Sequence, residues 1–121
     1  MNVGDFLHRL DLRGQALKGI NLSGAELRGA NLRGTDLRET NLGDAILRYA
    51  DLIEADLTGA NLGGADLAES LLNLANLTKA DLTGAVLREA TLVGAELTGA
   101  NLKLACLIKA NLVGANLQEA N

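Results

Sequence analysis

One histidine, one cysteine and fifteen carboxylates are the groups with which this 121-residue chain could do acid–base, nucleophilic or metal chemistry. The lone Cys106 excludes an internal disulfide and a cysteine-based metal site. No Ser-His-Asp set, Gly-rich phosphate loop or metal-spaced cluster appears. His8 stands alone near the N-terminus, where a solvated or packing role is expected. Most of the carboxylates belong to a pattern in which Asp, Asn or Glu directly precedes a leucine. Such side chains hydrogen-bond to nearby backbone at corners, which is turn chemistry rather than catalysis. The expectation is therefore a protein that is not an enzyme, with no catalytic residue, cofactor or metal.

Charge narrows the partners. A formal net charge of −4 offers no basic face for direct nucleic-acid binding. Residues 1–48 hold seven Lys/Arg against six Asp/Glu, residues 49–78 none against five (Asp51, Glu54, Asp56, Asp66, Glu69), and residues 79–121 four of each. An acidic belt thus lies between nearly neutral ends. The N-terminal MNVGDFLHRLDLRG lacks a signal peptide's apolar run, and nowhere do ~18 apolar residues follow one another. These features predict a soluble cytoplasmic protein without a membrane partner.

The elements that must position any functional group are set by one regularity. Leucine occupies every fifth position from Leu7 to Leu117, 23 in all. With the leucine called i, position i−2 is small (from residue 25 on, Ala except for Thr35, Thr40 and Ser70), i−1 is usually Asp, Asn or Glu, and i+2 is often Gly. On a helix, at ~100° per residue, a five-residue step would spread the leucines over every face. On one flat strand it would send alternate leucines to opposite faces. Only a chain that turns a corner in every repeat aims all of them at one axis. The near absence of aromatics, with one Phe, one Tyr and no Trp, agrees with a core of identical small modules.

The repeats ANLRG (30–34), ADLTG (55–59) and AELTG (95–99) resemble the pentapeptide-repeat proteins, over roughly residues 20–121. The resemblance implies an all-β fold, a right-handed quadrilateral parallel β-helix with four pentapeptides per coil and i and i−2 filling the interior. The column Asn21, Asn41, Asn61, Asp81, Asn101 gives independent support for a 20-residue coil, because Asn ladders stack well at strand spacing. The whole chain, 1–121, reads as a single domain. Repeats over 12–121 make five to six coils, on the order of 26 Å of solenoid. Val3, Phe6, Leu7 and Leu10 have helical spacing, and Asn2 with Asp5 resembles a helix start, which predicts a capping α-helix over about 2–11. The last coil is expected to be uncapped, with open strand edges.

Outward positions carry the remaining information. The side centred on Leu52, Leu72, Leu92 and Leu112 displays Ile53, Leu71, Leu74, Val93 and Val113. The preceding side, centred on Leu47, Leu87 and Leu107, displays Ile46, Tyr49, Val86, Cys106 and Ile108. The other two sides show only Leu104 among apolar residues larger than Ala. A contiguous apolar patch marks an interaction face, although β-branched residues also suit exposed strand positions. The expectation is a protein partner, or self-association through this face or the uncapped C-terminal coil. The resemblance also implies an alternative, mimicry of DNA that binds gyrase and protects it from quinolones. Against it stand a short rod, a mild charge, a C-terminus without Phe or Tyr, and the Arg28, Arg48, Arg88 column.

Overall fold

The computed structural model describes residues 10–121. Eighteen parallel bridges each join residue n to residue n+20, from Asp11 with Asn31 to Glu96 with Asn116. The chain therefore closes a four-sided coil every 20 residues and stacks each coil on the last. The sides are numbered by their ladder leucines: side 1 begins at Leu12, side 2 at Leu17, side 3 at Leu22 and side 4 at Leu27, each returning every 20 residues. Regular strand is reduced to one bridged residue per pentapeptide, at i−1, because a corner follows at once.

The backbone hydrogen bonds explain the spacing. In each interior repeat the N–H groups of i and i+2 donate to the next coil, as Leu52 does to Leu71 O (2.7 Å) and Glu54 to Asn73 O (3.1 Å). The N–H of i−1 donates to the previous coil, as from Asp51 to Ala30 O at 3.0 Å. The N–H three residues beyond each leucine returns to that leucine's carbonyl, as from Ala55 to Leu52 O at 3.0 Å. This is a β-turn, and its third residue has φ near +60°, as type II turns require. Glycine fills that position at Gly59 (φ 67°), but eleven non-glycine residues also adopt it, among them Tyr49, Leu74 and Leu104.

One donor per repeat remains, the N–H of i+1, and the residue at i−1 supplies its acceptor. Wherever Asp or Asn stands at i−1 and a turn follows, its Oδ1 accepts that N–H, as Asp51 does from Ile53 (3.0 Å) and Asn61 from Gly63 (2.9 Å). Every backbone donor of such a repeat is thus satisfied, as burial demands. The corner role expected of Asp and Asn is what these contacts show. The Asn column stacks less than expected: only Asn61 and Asn41 share a side-chain rung, at 3.2 Å, among the described residues. Their amide oxygens are already engaged by the turns.

The interior is solid. Every ladder leucine from Leu32 to Leu97 has no exposed surface, and the alanines at i−2 between them are buried with it. The three departures from alanine, Thr35, Thr40 and Ser70, are also fully buried. Their hydroxyls donate to turn carbonyls, Ser70 to Leu67 O at 2.6 Å and Thr40 to Leu17 O at 3.0 Å. Coverage fades at the ends, where Leu102, Leu107 and Leu112 are half-buried and Leu117 is exposed.

The predicted capping helix over 2–11 lies outside the described residues except at its end, and there it is corrected. Leu10 and Asp11 are not helical: Leu10 O accepts from Asn31, and Asp11 already bridges Asn31. The ladder starts before residue 12 because the Asp11 side chain can cap its own turn, accepting the Arg13 N–H at 3.1 Å. No helix occurs among the described residues, so none there is long and apolar enough to cross a membrane. His8 lies outside the described span.

Paired charges decorate side 2. The Arg38 guanidinium grips Asp36 with two bonds of 2.8 Å each. That side-chain bond, helped by the Arg38 backbone N–H, holds the Asp36 carboxyl down at about 2. A depressed folded pKa means that the contribution is complete above the ordinary carboxylate value. It is lost as pH falls through about 2. Arg38→Ala is expected to move the Asp36 midpoint upward, part of the way to its ordinary value, because the backbone bond survives. An NMR titration of the carboxyl carbon reads this directly.

Candidate interaction face

Among the described residues no group of three His, Cys, Asp or Glu is placed to hold a metal. The hollow lined by Asp11, Arg13, Gly14 and Gln15 is open. What is unusual is the outer surface of sides 4 and 1, which meet at the corner carrying Tyr49.

The structure brings the ten candidate residues onto those two adjoining sides. Leu71, Val93 and Val113 are exposed on side 1, with Ile53 half-buried, and Leu74 stands at its far corner, 61% exposed. On side 4, Ile108 is exposed, while Ile46, Val86 and Cys106 are half-buried. Tyr49 is exposed at the shared corner. Leu104, 89% exposed, sits on the diagonally opposite corner from Leu74, at the edge of side 4 shared with side 3. Two further exposed apolar residues, Ile20 and Leu117, occupy inward positions in the first and last described coils.

Several of these residues work against the local rules of the coil. Ile46, Leu71, Val86 and Cys106 occupy i−1, the bridged position where Asp or Asn would cap the next turn. Their side chains offer no oxygen to the following N–H. Replacing a comparable cap at a helix start costs about 1 kcal/mol. Tyr49 and Leu74 adopt φ of 61°, in a region where an L side chain is disfavoured by roughly 1–2 kcal/mol. The coil repairs one gap: Val93, which follows Thr91 at i−1, donates its N–H to Asn73 Oδ1 of the preceding coil at 3.0 Å.

Two further features of this surface involve charged residues, which the sequence places in the Arg28, Arg48, Arg88 column and in the acidic belt. The Arg28 and Arg48 guanidinium carbons lie 5.7 and 5.8 Å from the Tyr49 ring centroid, a pair of cation–π contacts. The 20-residue register carries the signal, since it sets Arg28 one coil below Arg48 and beside Tyr49. The second feature is an acidic border. Asp51, Glu54 and Glu69 flank the side 1 strip, and none is in an ion pair among the described residues.

The family is decided by the repeats themselves. The family model for pentapeptide repeats matches eight copies, over residues 7–44, 37–73, 72–103 and 95–121. The chain belongs to the pentapeptide-repeat family. Solved pentapeptide-repeat proteins are similar along most of its length. One from the cyanobacterium Cyanothece 51142 is 28% identical, with a TM-score of 0.73, over 93% of this chain and 84% of the other. One from Nostoc PCC 7120 is 36% identical, with a TM-score of 0.69, over 77% of each chain. A trypsin-treated variant of a plasmid-mediated fluoroquinolone resistance protein is 22% identical, with a TM-score of 0.55, over 93% of this chain and 77% of the other. At that identity the likeness is one of fold. No curated protein sequence matches. Pentapeptide-repeat proteins form four-sided β-helices, and the 20-residue bridge register of this chain agrees with that architecture.

Proposed function

We propose that this pentapeptide-repeat protein is a non-enzymatic interaction module that presents the side 4–side 1 face to a protein partner. The observation that carries the reading is the position of the apolar residues. Four of them stand at i−1, where Asp or Asn would cap the following turn, so the fold gains nothing locally from their identity. Departures of this kind from local rules gather at functional sites. The solid leucine–alanine axis supports the non-enzymatic part, because it leaves no interior space for a substrate.

Affinity capture from the source cells tests the reading with three variants beside wild type. Wild type is expected to retain a protein that Leu74→Glu and Val93→Glu both release, while Lys103→Glu on side 3 retains it. Capture unaffected by either face variant overturns the proposal. Mimicry of DNA has less support. The five acids of residues 51–69 are spread over sides 1, 2 and 4 rather than forming one stripe, and Arg28, Arg48 and Arg88 share a column on side 4.

A further inference from the structure

The chemistry of side 1 specifies a partner more narrowly than "a protein", and this step rests on the interaction-face reading above. We infer that side 1 docks a basic amphipathic helix. Its apolar residues are exposed, Leu71, Val93 and Val113 on the side itself and Leu74 at its far corner, and Ile53 shares the column of the two valines, with Asn73 between. Its border is acidic. Glu69 stands at the corner shared with side 4, Asp51 lies directly below Leu71, to which it is bridged, and Glu54 lies at the opposite corner below Leu74. Glu89 continues the first edge, with Arg88 at 3.9 Å as its neighbour. Lys109 closes the C-terminal end of that edge.

A border in which Asp51, Glu54 and Glu69 are in no ion pair among the described residues favours a partner with the reverse pattern, apolar in the middle and Lys or Arg at the flanks. Electrostatic complementarity of this kind selects partners and speeds their encounter. The same border disfavours an anionic membrane. The dimensions suit a helix. From Ile53 to Val113 is three coils, about 14 Å at strand spacing, which roughly ten helical residues span at 1.5 Å each. The floor of the strip is low beside Leu74. An ideal Cβ on Gly94 would stand 2.9 Å from Leu74 Cδ2, so glycine lets that leucine lie along the face. Leu74 nevertheless remains 61% exposed.

The strain at Leu74 supplies a variant that separates folding from binding. Leu74→Gly relieves the disfavoured φ, so its melting temperature is expected to equal or exceed that of wild type, while it deletes the most exposed apolar contact of side 1. The probe is a labelled synthetic peptide with a leucine stripe at i, i+3, i+4 and i+7 and lysine elsewhere, followed by fluorescence anisotropy. A second peptide carries glutamate in place of lysine. The lysine peptide is expected to bind at least about tenfold more tightly than the glutamate peptide and to weaken as salt rises. Leu74→Gly and the double variant Glu54→Lys/Glu69→Lys are each expected to reduce that binding about tenfold.

Equal binding of the two peptides overturns the basic partner and leaves the interaction face standing. Lysine-peptide binding unchanged by Leu74→Gly overturns side 1 as the site. If the peptide fails to bind but light scattering shows a dimer that Leu74→Gly abolishes, the occupant is a second copy. Binding to phosphatidylserine vesicles without peptide binding assigns the face to a membrane, and either result overturns the inference.

Discussion

Leu62→Ala is expected to cost the fold roughly 2–5 kcal/mol, read as a fall in the midpoint of chemical denaturation. Leu62 has no exposed surface and belongs to an unbroken run of fully buried leucines. The cavity cannot collapse easily, because the coils above and below are held by backbone bonds of 2.7 Å, from Leu62 to Asp81 O and from Leu42 to Asn61 O. Leu117→Ala provides the comparison. With 43% of its surface already exposed, Leu117 loses far less burial, and its substitution is expected to cost well under half as much. Equal costs at the two positions would mean that the stack unfolds as a body whose interior is not packed as described. Unequal costs fit a solenoid in which neighbouring coils are the unit of stability.

Ala85→Asp is expected to be at least as damaging, and Ala85→Ser nearly harmless. Ala85 is fully buried at i−2. A carboxylate there would be buried without a partner, which costs several kcal/mol or forces the group to remain protonated. A serine at the same kind of position already exists. Ser70 is fully buried, and its hydroxyl donates to the Leu67 carbonyl three residues back. The hydroxyl introduced by Ala85→Ser would find the Leu82 carbonyl in the same relation, because Ala85 N already donates to Leu82 O at 3.0 Å. The expected order of thermal midpoints is wild type and Ala85→Ser together, then Ala85→Asp far below. The aspartate variant is expected to recover partly as pH drops, since protonation removes the buried charge. A serine variant as damaged as the aspartate would contradict the role assigned to the Thr35, Thr40 and Ser70 hydroxyls.

Much of this architecture is legible along the chain. A five-residue leucine period excludes helix and flat strand by geometry alone, and the ten outward apolar residues sort onto two sides as soon as a 20-residue coil is adopted. The expected cap at residues 2–11 rests on local helical spacing, but at Leu10 and Asp11 the bonds to the next coil win. The degree of exposure is hidden in the sequence. Ile46, Val86 and Cys106 are bridged at i−1 between coils and become half-buried, whereas Leu74 and Val113, in the turns, protrude. The capping of each i+1 N–H is clear only from the contacts, as is the cost of placing Leu71 where an aspartate could stand. In the Arg28–Tyr49–Arg48 cluster, Arg48 neighbours Tyr49 along the chain, whereas Arg28 joins them only across coils, once the 20-residue register is adopted.

The 20-residue bridge register has a consequence for how such proteins are compared. The outer surface is a raster written with a stride of twenty, so Ile53, Val93 and Val113 are neighbours on one side although long stretches of chain separate them. Percent identity averages over leucines and alanines that every relative needs, and linear motif searches look along the wrong dimension. Two chains can share the ladder and display unrelated surfaces, or diverge widely and display the same one. Relatives of this protein that share its task are therefore to be sought by aligning columns, one side at a time.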